Sequence, residues 1–194
     1  NMTTNSIHKL VTKRMVDQLN IALWDQGPTF AHLLDTFVIS CTTAAHFDVW
    51  LPMRSEKTHP IVAWFFQGAA LRLADSLVVH PKVATVALMF ASINYIFPHC
   101  DSAATSELIL GLSEPKLDGE DQIYSFHFQG ANAVDEWLQA GIDTTPPTHQ
   151  ILSLVEVINI HAVNDVRNPD GLADVVANTL DRLTILAPRP GTES

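Results

Sequence analysis

Between Pro81 and Pro98 the chain runs through fifteen residues without a charge, Val83 to Phe97 (VATVALMFASINYIF). A helix apolar on nearly every face must be covered on nearly every face. Fifteen residues fall short of the ~20 that span a bilayer. The segment Lys82 to Phe97 is therefore expected at the centre of a helical core or in a subunit interface, and no membrane partner is expected.

The flanking segments carry the same helical period. Ile7 to Trp24 places Ile7, Leu10, Val11, Met15, Leu19, Ala22 and Leu23 on one stripe, with Ser6 as a capping residue and Gly27-Pro28 as a stop. Thr29 to Trp50 repeats the pattern with Phe30, Leu33, Leu34, Phe37, Val38, Cys41 and Ala45, although "TFVISCTT" is rich in β-branched residues. After the loop "LPMRSEKTHP", Thr58 and Pro60 open a helix over Ile61 to Val79, in which Arg72 and Asp75 are spaced to pair. His80-Pro81 ends it. A short helix over Ser106 to Leu112 follows, then the polar stretch 113–122, expected as a mobile acidic loop.

The next region reads two ways. In "IYSFHF" the aromatic residues 124, 126 and 128 alternate with Ser125 and His127, which suits a strand over 123–128. Gly130 then opens a helix that Gly141 closes, and Thr148 caps another over His149 to Val163. That last stretch holds enough Ile and Val for a strand at 151–160. Asp170 to Leu186 is again helical, and 189–194 is expected to be a disordered tail. The pattern predicts a single all-α domain over 1–194, a bundle of about seven helices; an α+β fold with two or three short strands is the alternative.

Charged residues make up only 16% of the 194 residues, against about a quarter in ordinary soluble domains. A buried subunit interface would account for the deficit, so a homo-oligomer, most simply a homodimer, is expected. The net charge of −10 is concentrated: Val83 to Val166 holds eleven acids against Lys116 alone, and the rest of the chain is balanced. Such a half repels phosphate backbones, which excludes nucleic acid as a natural partner. No basic segment followed by an apolar one opens the chain, and Met2 follows Asn1, so a cytoplasmic protein is expected. Two cysteines, Cys41 and Cys100, give no disulfide framework.

Nine histidines raise the question of metal. Neither His-Glu-x-x-His nor Cys-x-x-Cys occurs, so no metal site is assigned; His161 and Asp165, four apart, come closest to a ligand pair. In "FPHCD" adjacent residues of an extended loop point different ways, which argues against contact between His99 and Cys100. His99 is instead expected to complement the negative end of the helix before it, as is His80 at its own helix end. About 25 Å of helix would separate those two histidines. On the segment starting at His149, helical spacing puts His149, Ser153 and Glu156 on one stripe. That stripe would either face solvent or line a pocket in which a desolvated Glu156 serves as acid or base with His149. Trp137 and Ser153 are the candidate ligand contacts in such a pocket.

Nucleotide-binding and hydrolase motifs are absent, and no cofactor is assigned. Two functions follow as expectations. One is a non-catalytic helical binding protein, dimeric, recognising a protein partner or an apolar small molecule through its acidic, aromatic-rich second half. The other is a small enzyme, metal-dependent or not, that uses His149, Glu156, His161 and Asp165. A helical, ligand-sensing transcriptional regulator is disfavoured, since the first segment has few bases and no helix-turn-helix.

Overall fold

The computed structural model describes the backbone of residues 27–112 and 121–167, and the side chains of 27–112 and 126–160. Among them are seven α-helices and no strand: α1 Gly27–Ala44, α2 Phe47–Trp50, α3 His59–Ser76, α4 Pro81–Ala91, α5 Ser102–Gly111, α6 Asp121–Ala140 and α7 His149–Arg167. Two 3-10 turns, Leu51–Met53 and Glu56–Thr58, lead from α2 to α3, and a π-helical segment, Ser92–Ile96, prolongs α4. The protein is an all-α bundle. The helices expected at 7–24 and 170–186, the tail 189–194, and residues 113–120 of the acidic loop lie outside the described residues. Residues 121 and 122, expected in that loop, are the first of α6.

Neither strand of the alternative α+β reading forms. Residues 123–128 belong to α6 and 151–160 to α7. Phe126 is fully buried while Phe128 is 53% exposed. On a strand the two would share a face; on a helix they point about 200° apart, so the apparent alternation is a fragment of the helical period.

The uncharged run is not the centre of the molecule. That place belongs to α3, where Ile61, Val62, Ala63, Phe65, Phe66, Gln67, Gly68, Ala69, Ala70, Leu73 and Ala74 are all buried. Its small side chains let neighbours approach from every side. In α4 only Val83, Ala84, Ala87, Leu88 and Ala91 are buried, and Phe90 stands 60% exposed. Absence of charge was thus a poorer guide to centrality than the density of Ala and Gly.

The closest approach is between α3 and α6, the most extensive helix pair in the described structure. A Cβ on Gly68 would overlap the carbonyl of His127, and one on Gly130 would overlap the carbonyl of Phe65. Gly130 therefore does not open a helix, as its sequence context suggested, but sits inside α6 where two backbones touch. Helix-interior glycine costs about 1 kcal/mol relative to Ala, and here the close packing of the crossing offsets it. Beside the crossing, Arg72 Nη1 donates to Asp135 Oδ2 of α6 at 2.9 Å, in place of the expected pairing with Asp75.

Around α3 the aromatic rings form one cluster. Phe66 meets Phe37 of α1 edge-on at 6.4 Å and Phe47 of α2 at 6.2 Å, and Phe37 lies 6.1 Å from Trp137 of α6. Trp137 is fully buried and its Nε1 donates to the carbonyl of Thr144 at 3.0 Å. That single bond satisfies its polar atom inside an apolar core.

Local chemistry explains the boundaries. α1 is continuous despite its β-branched residues, and Thr36 and Thr42 satisfy their hydroxyls within it by donating to the carbonyls of His32 and Val38, one turn earlier. The helix expected to run to Trp50 instead ends at Ala44, and His46 takes the left-handed conformation (φ 51°) before α2. At the far end of α3, Val78 is also left-handed (φ 56°), and Val79 N–H closes the helix onto the carbonyl of Ala74 at 2.8 Å. His80 does not end α3: its Nδ1 accepts the Lys82 N–H at 3.1 Å and caps the start of α4. Gly141 (φ 106°) closes α6 as expected.

Candidate metal centre

At the beginning of α3 the fold gathers His59, His99 and Cys100. Their potential ligand atoms all lie within 4.8 Å of one another. Forty residues of sequence separate the two halves of this cluster, and two local structures join them. Thr58 occupies the cap position of α3, leaving His59 as its first residue. The segment before it is held by short bonds: Thr58 Oγ1 donates to the carbonyl of Ser55 at 2.8 Å, and Arg54 Nη2 donates to Asn159 Oδ1 of α7 at 2.6 Å. On the other side the π-helical segment ends with the Phe97 N–H bonded to the carbonyl of Ser92 at 2.7 Å, and Cys100 N–H then bonds back to the carbonyl of Phe97 at 3.1 Å. This turn folds His99 and Cys100 to one side. Wider π-type turns of this kind recur at functional sites.

Phe97 forms the floor. Its ring lies 5.0 Å from that of His59 and 6.4 Å from that of His99, and the two imidazoles meet edge-on at 5.7 Å. The Nε2 of His59 is shielded from solvent and has no hydrogen-bond partner. Such a buried polar atom costs on the order of 1–3 kcal/mol if nothing ever engages it. Asp101 stands apart from the cluster, because its carboxylate accepts the Ala104 N–H at 3.1 Å and caps α5.

Burial holds both histidines below their ordinary pKa, and for His59 the neighbouring His99 adds to the effect while Glu56 opposes it. Both rings are thus biased to the neutral form, which carries a free lone pair. Burial, with a contribution from Glu56, pushes the Cys100 thiol up. An activated nucleophile requires the opposite direction, so a thiolate poised for attack is disfavoured; a metal ion would displace the thiol proton on binding. A tetrahedral zinc holds its donor atoms roughly 3.3–3.8 Å apart, given bonds of about 2.1 Å to nitrogen and 2.3 Å to sulfur. Closing from at most 4.8 Å asks for no more than about 1.5 Å of side-chain movement. The donor types and their spacing fit a borderline divalent metal.

The fold brings the ligand atoms of His99 and Cys100 within 4.8 Å of one another, closer than an extended loop suggested, and the turn places the His99 ring against His59. His59 was missed altogether. Its only sequence signal is that it precedes Pro60, as His80 precedes Pro81. The two histidines diverge in use, since His80 caps its helix while Thr58 takes that position before His59.

The stripe on α7 faces outward. His149 and Glu156 are exposed, and His149 Nε2 lies 3.1 Å from Glu136 Oε2 of α6, with side-chain exposures of 62% and 44%. The Ser153 hydroxyl donates to the carbonyl of His149 at 2.9 Å, within its own helix. Trp137 belongs to the core. The backbone of His161 and Asp165 is part of α7, but their side chains lie outside the described residues. Cys41 is buried in the core and, like Cys100, is a free thiol.

No helix among the described residues is long and apolar enough to cross a membrane. Compared with protein-family models, curated proteins and solved structures, the chain matches none.

Proposed function

We propose that the chain is a metal-binding helical protein that takes up a divalent transition metal such as Zn2+ through His59, His99 and Cys100. The supporting observation is the convergence of three donor side chains of suitable type, His59 among them with a solvent-shielded, unpartnered Nε2. Bound metal would tie the start of α3 to the turn after α4, a binding and structural role in preference to catalysis with His149 and Glu156. Two free thiols agree with a reducing compartment, and we assign the protein to the cytoplasm on that ground.

The test is titration of the apo protein with Zn2+ and Co2+ against a chromophoric chelator, with His59→Ala, His99→Ala and Cys100→Ala in parallel. Stoichiometric uptake is expected, weakened at least about tenfold by each substitution. Thiolate-to-Co2+ charge transfer in the near ultraviolet should vanish in Cys100→Ala. A wild-type protein that binds neither ion overturns the proposal.

A second reading, self-association, is favoured by apolar side chains on the surface, notably Phe90, Met53 and Phe128. Sedimentation at micromolar concentration should give a dimer, and a monomer would refute this reading.

A further inference from the structure

Two imidazoles and one thiol make up the donor group at the start of α3, their ligand atoms within 4.8 Å of one another. Around Zn2+ the thiolate and two neutral imidazoles leave a net positive charge and a coordination shell that solvent must complete, since zinc sites are four-coordinate. A net charge in a corner where the Nε2 of His59 is shielded from solvent is costly unless paired. Around Cu(I) the same three donors give a neutral group.

The surroundings of the donors also suit an ion of low coordination number. His99 and Cys100 are neighbours in one turn, and His59 faces them from the first residue of α3. Beside them lies the ring of Phe97, itself 1% exposed, 5.0 Å from the ring of His59 and 6.4 Å from that of His99. This side offers carbon and no donor atom. A trigonal ion spreads its ligands at a wider angle than a tetrahedral one, so the three side chains have less distance to close. Thiolate is the soft donor that selects Cu(I), and imidazole suits copper as well as zinc.

Resting on the metal-binding reading above, we propose that the His59–His99–Cys100 site holds Cu(I) in preference to Zn2+, as a neutral, three-coordinate ion. The preference comes from charge balance and from the softness of the sulfur. Zn2+ occupies the same donors when copper is withheld.

The experiment loads the full chain with Zn2+, adds equimolar Cu(I) under anaerobic ascorbate, and reads released zinc with a chromophoric chelator. Nearly complete release is expected; zinc that stays bound would overturn the preference and leave the Zn2+ reading intact. Because a lone thiolate also binds Cu(I), affinities are measured in His59→Ala and His99→Ala by competition with a Cu(I) chelator, and each should be at least about tenfold weaker. His99 is exposed, so its substitution probes the site without emptying the core. X-ray absorption of the copper-loaded wild-type chain should show two nitrogen neighbours and one sulfur, a result that does not depend on either variant folding. A two-coordinate ion, or unchanged affinity in both variants, would mean that the thiol acts without the histidines and would overturn the inference. Uptake of Cu(I) by a chain that takes up no Zn2+ would support it and overturn the divalent assignment, whereas a chain that binds neither ion removes both proposals.

Discussion

Helix α3 meets the rest of the molecule in two contrasting ways. In its middle, Gly68 lies against the backbone of α6 with no space for a methyl group, and the surroundings are aromatic and closed. At its first residue, His59 faces two side chains from the turn after α4 and keeps a shielded ring nitrogen unpartnered. The middle is completed by the chain's own atoms, whereas the beginning has donors in place of packing. One helix thus combines a rigid anchor with a polar corner held in position by that anchor.

The largest expected effect is on the anchor. Gly130→Ala should cost about 3 kcal/mol in urea unfolding, although Ala is the better helix former by about 1 kcal/mol, because the added methyl meets backbone and not a movable side chain. Gly68→Ala should behave alike. If either variant were as stable as wild type, the close contact of α3 and α6 would be wrong.

The polar corner should respond to metal in the opposite sense. Zn2+ at a hundredfold excess over its dissociation constant should stabilise the protein by about 2.7 kcal/mol, seen as a raised Tm, with no such shift in His59→Ala. A shift that survives His59→Ala would place the ion elsewhere.

Acid reaches the anchor through His127, which lies in α6 against the backbone of Gly68. Burial, with a contribution from the Arg72 cation, lowers its pKa below 6.5. The unfolded chain then binds a proton first, so the contribution of a neutral His127 to stability is complete above pH ~6.5 and is lost as pH falls through the lower folded value. Urea midpoints measured from pH 8 to pH 5 should decline more gently in His127→Gln than in wild type.

Smallest of all should be the loss of the Arg72–Asp135 ion pair, whose side chains are 41% and 37% exposed. Arg72→Ala is expected to change stability by less than about 1 kcal/mol, measured by the same unfolding. A larger loss would mean that the pair, and not the glycine contact, holds α6 in register.

Among the described residues helical period was legible in α1, α3, α4 and α7, which lie where apolar spacing and the residues Thr58, Pro60 and Thr148 indicated. Legibility failed where two signals coincide. The aromatics at 124, 126 and 128 satisfied period two over too short a window, and Gly130 looked like a boundary because close backbone contact and a helix start both favour glycine. For the metal site, the pair His99-Cys100 was visible but its partner was not. Nothing in the residues around His59 specifies that a turn forty positions later will fold back upon it.

The sequence by itself determined the helical class, the acidic second half, the closure of α6 at Gly141 and the lack of a membrane-length apolar helix among the described residues. These are local properties, set by side-chain periodicity, charge and backbone preference within a few residues. Only the tertiary structure decided that α3 and not the uncharged run is central, that Gly130 serves a helix crossing, and that His59 joins His99 and Cys100. Each of these depends on which segments approach in space, and packing settles that through contacts between residues far apart in the chain.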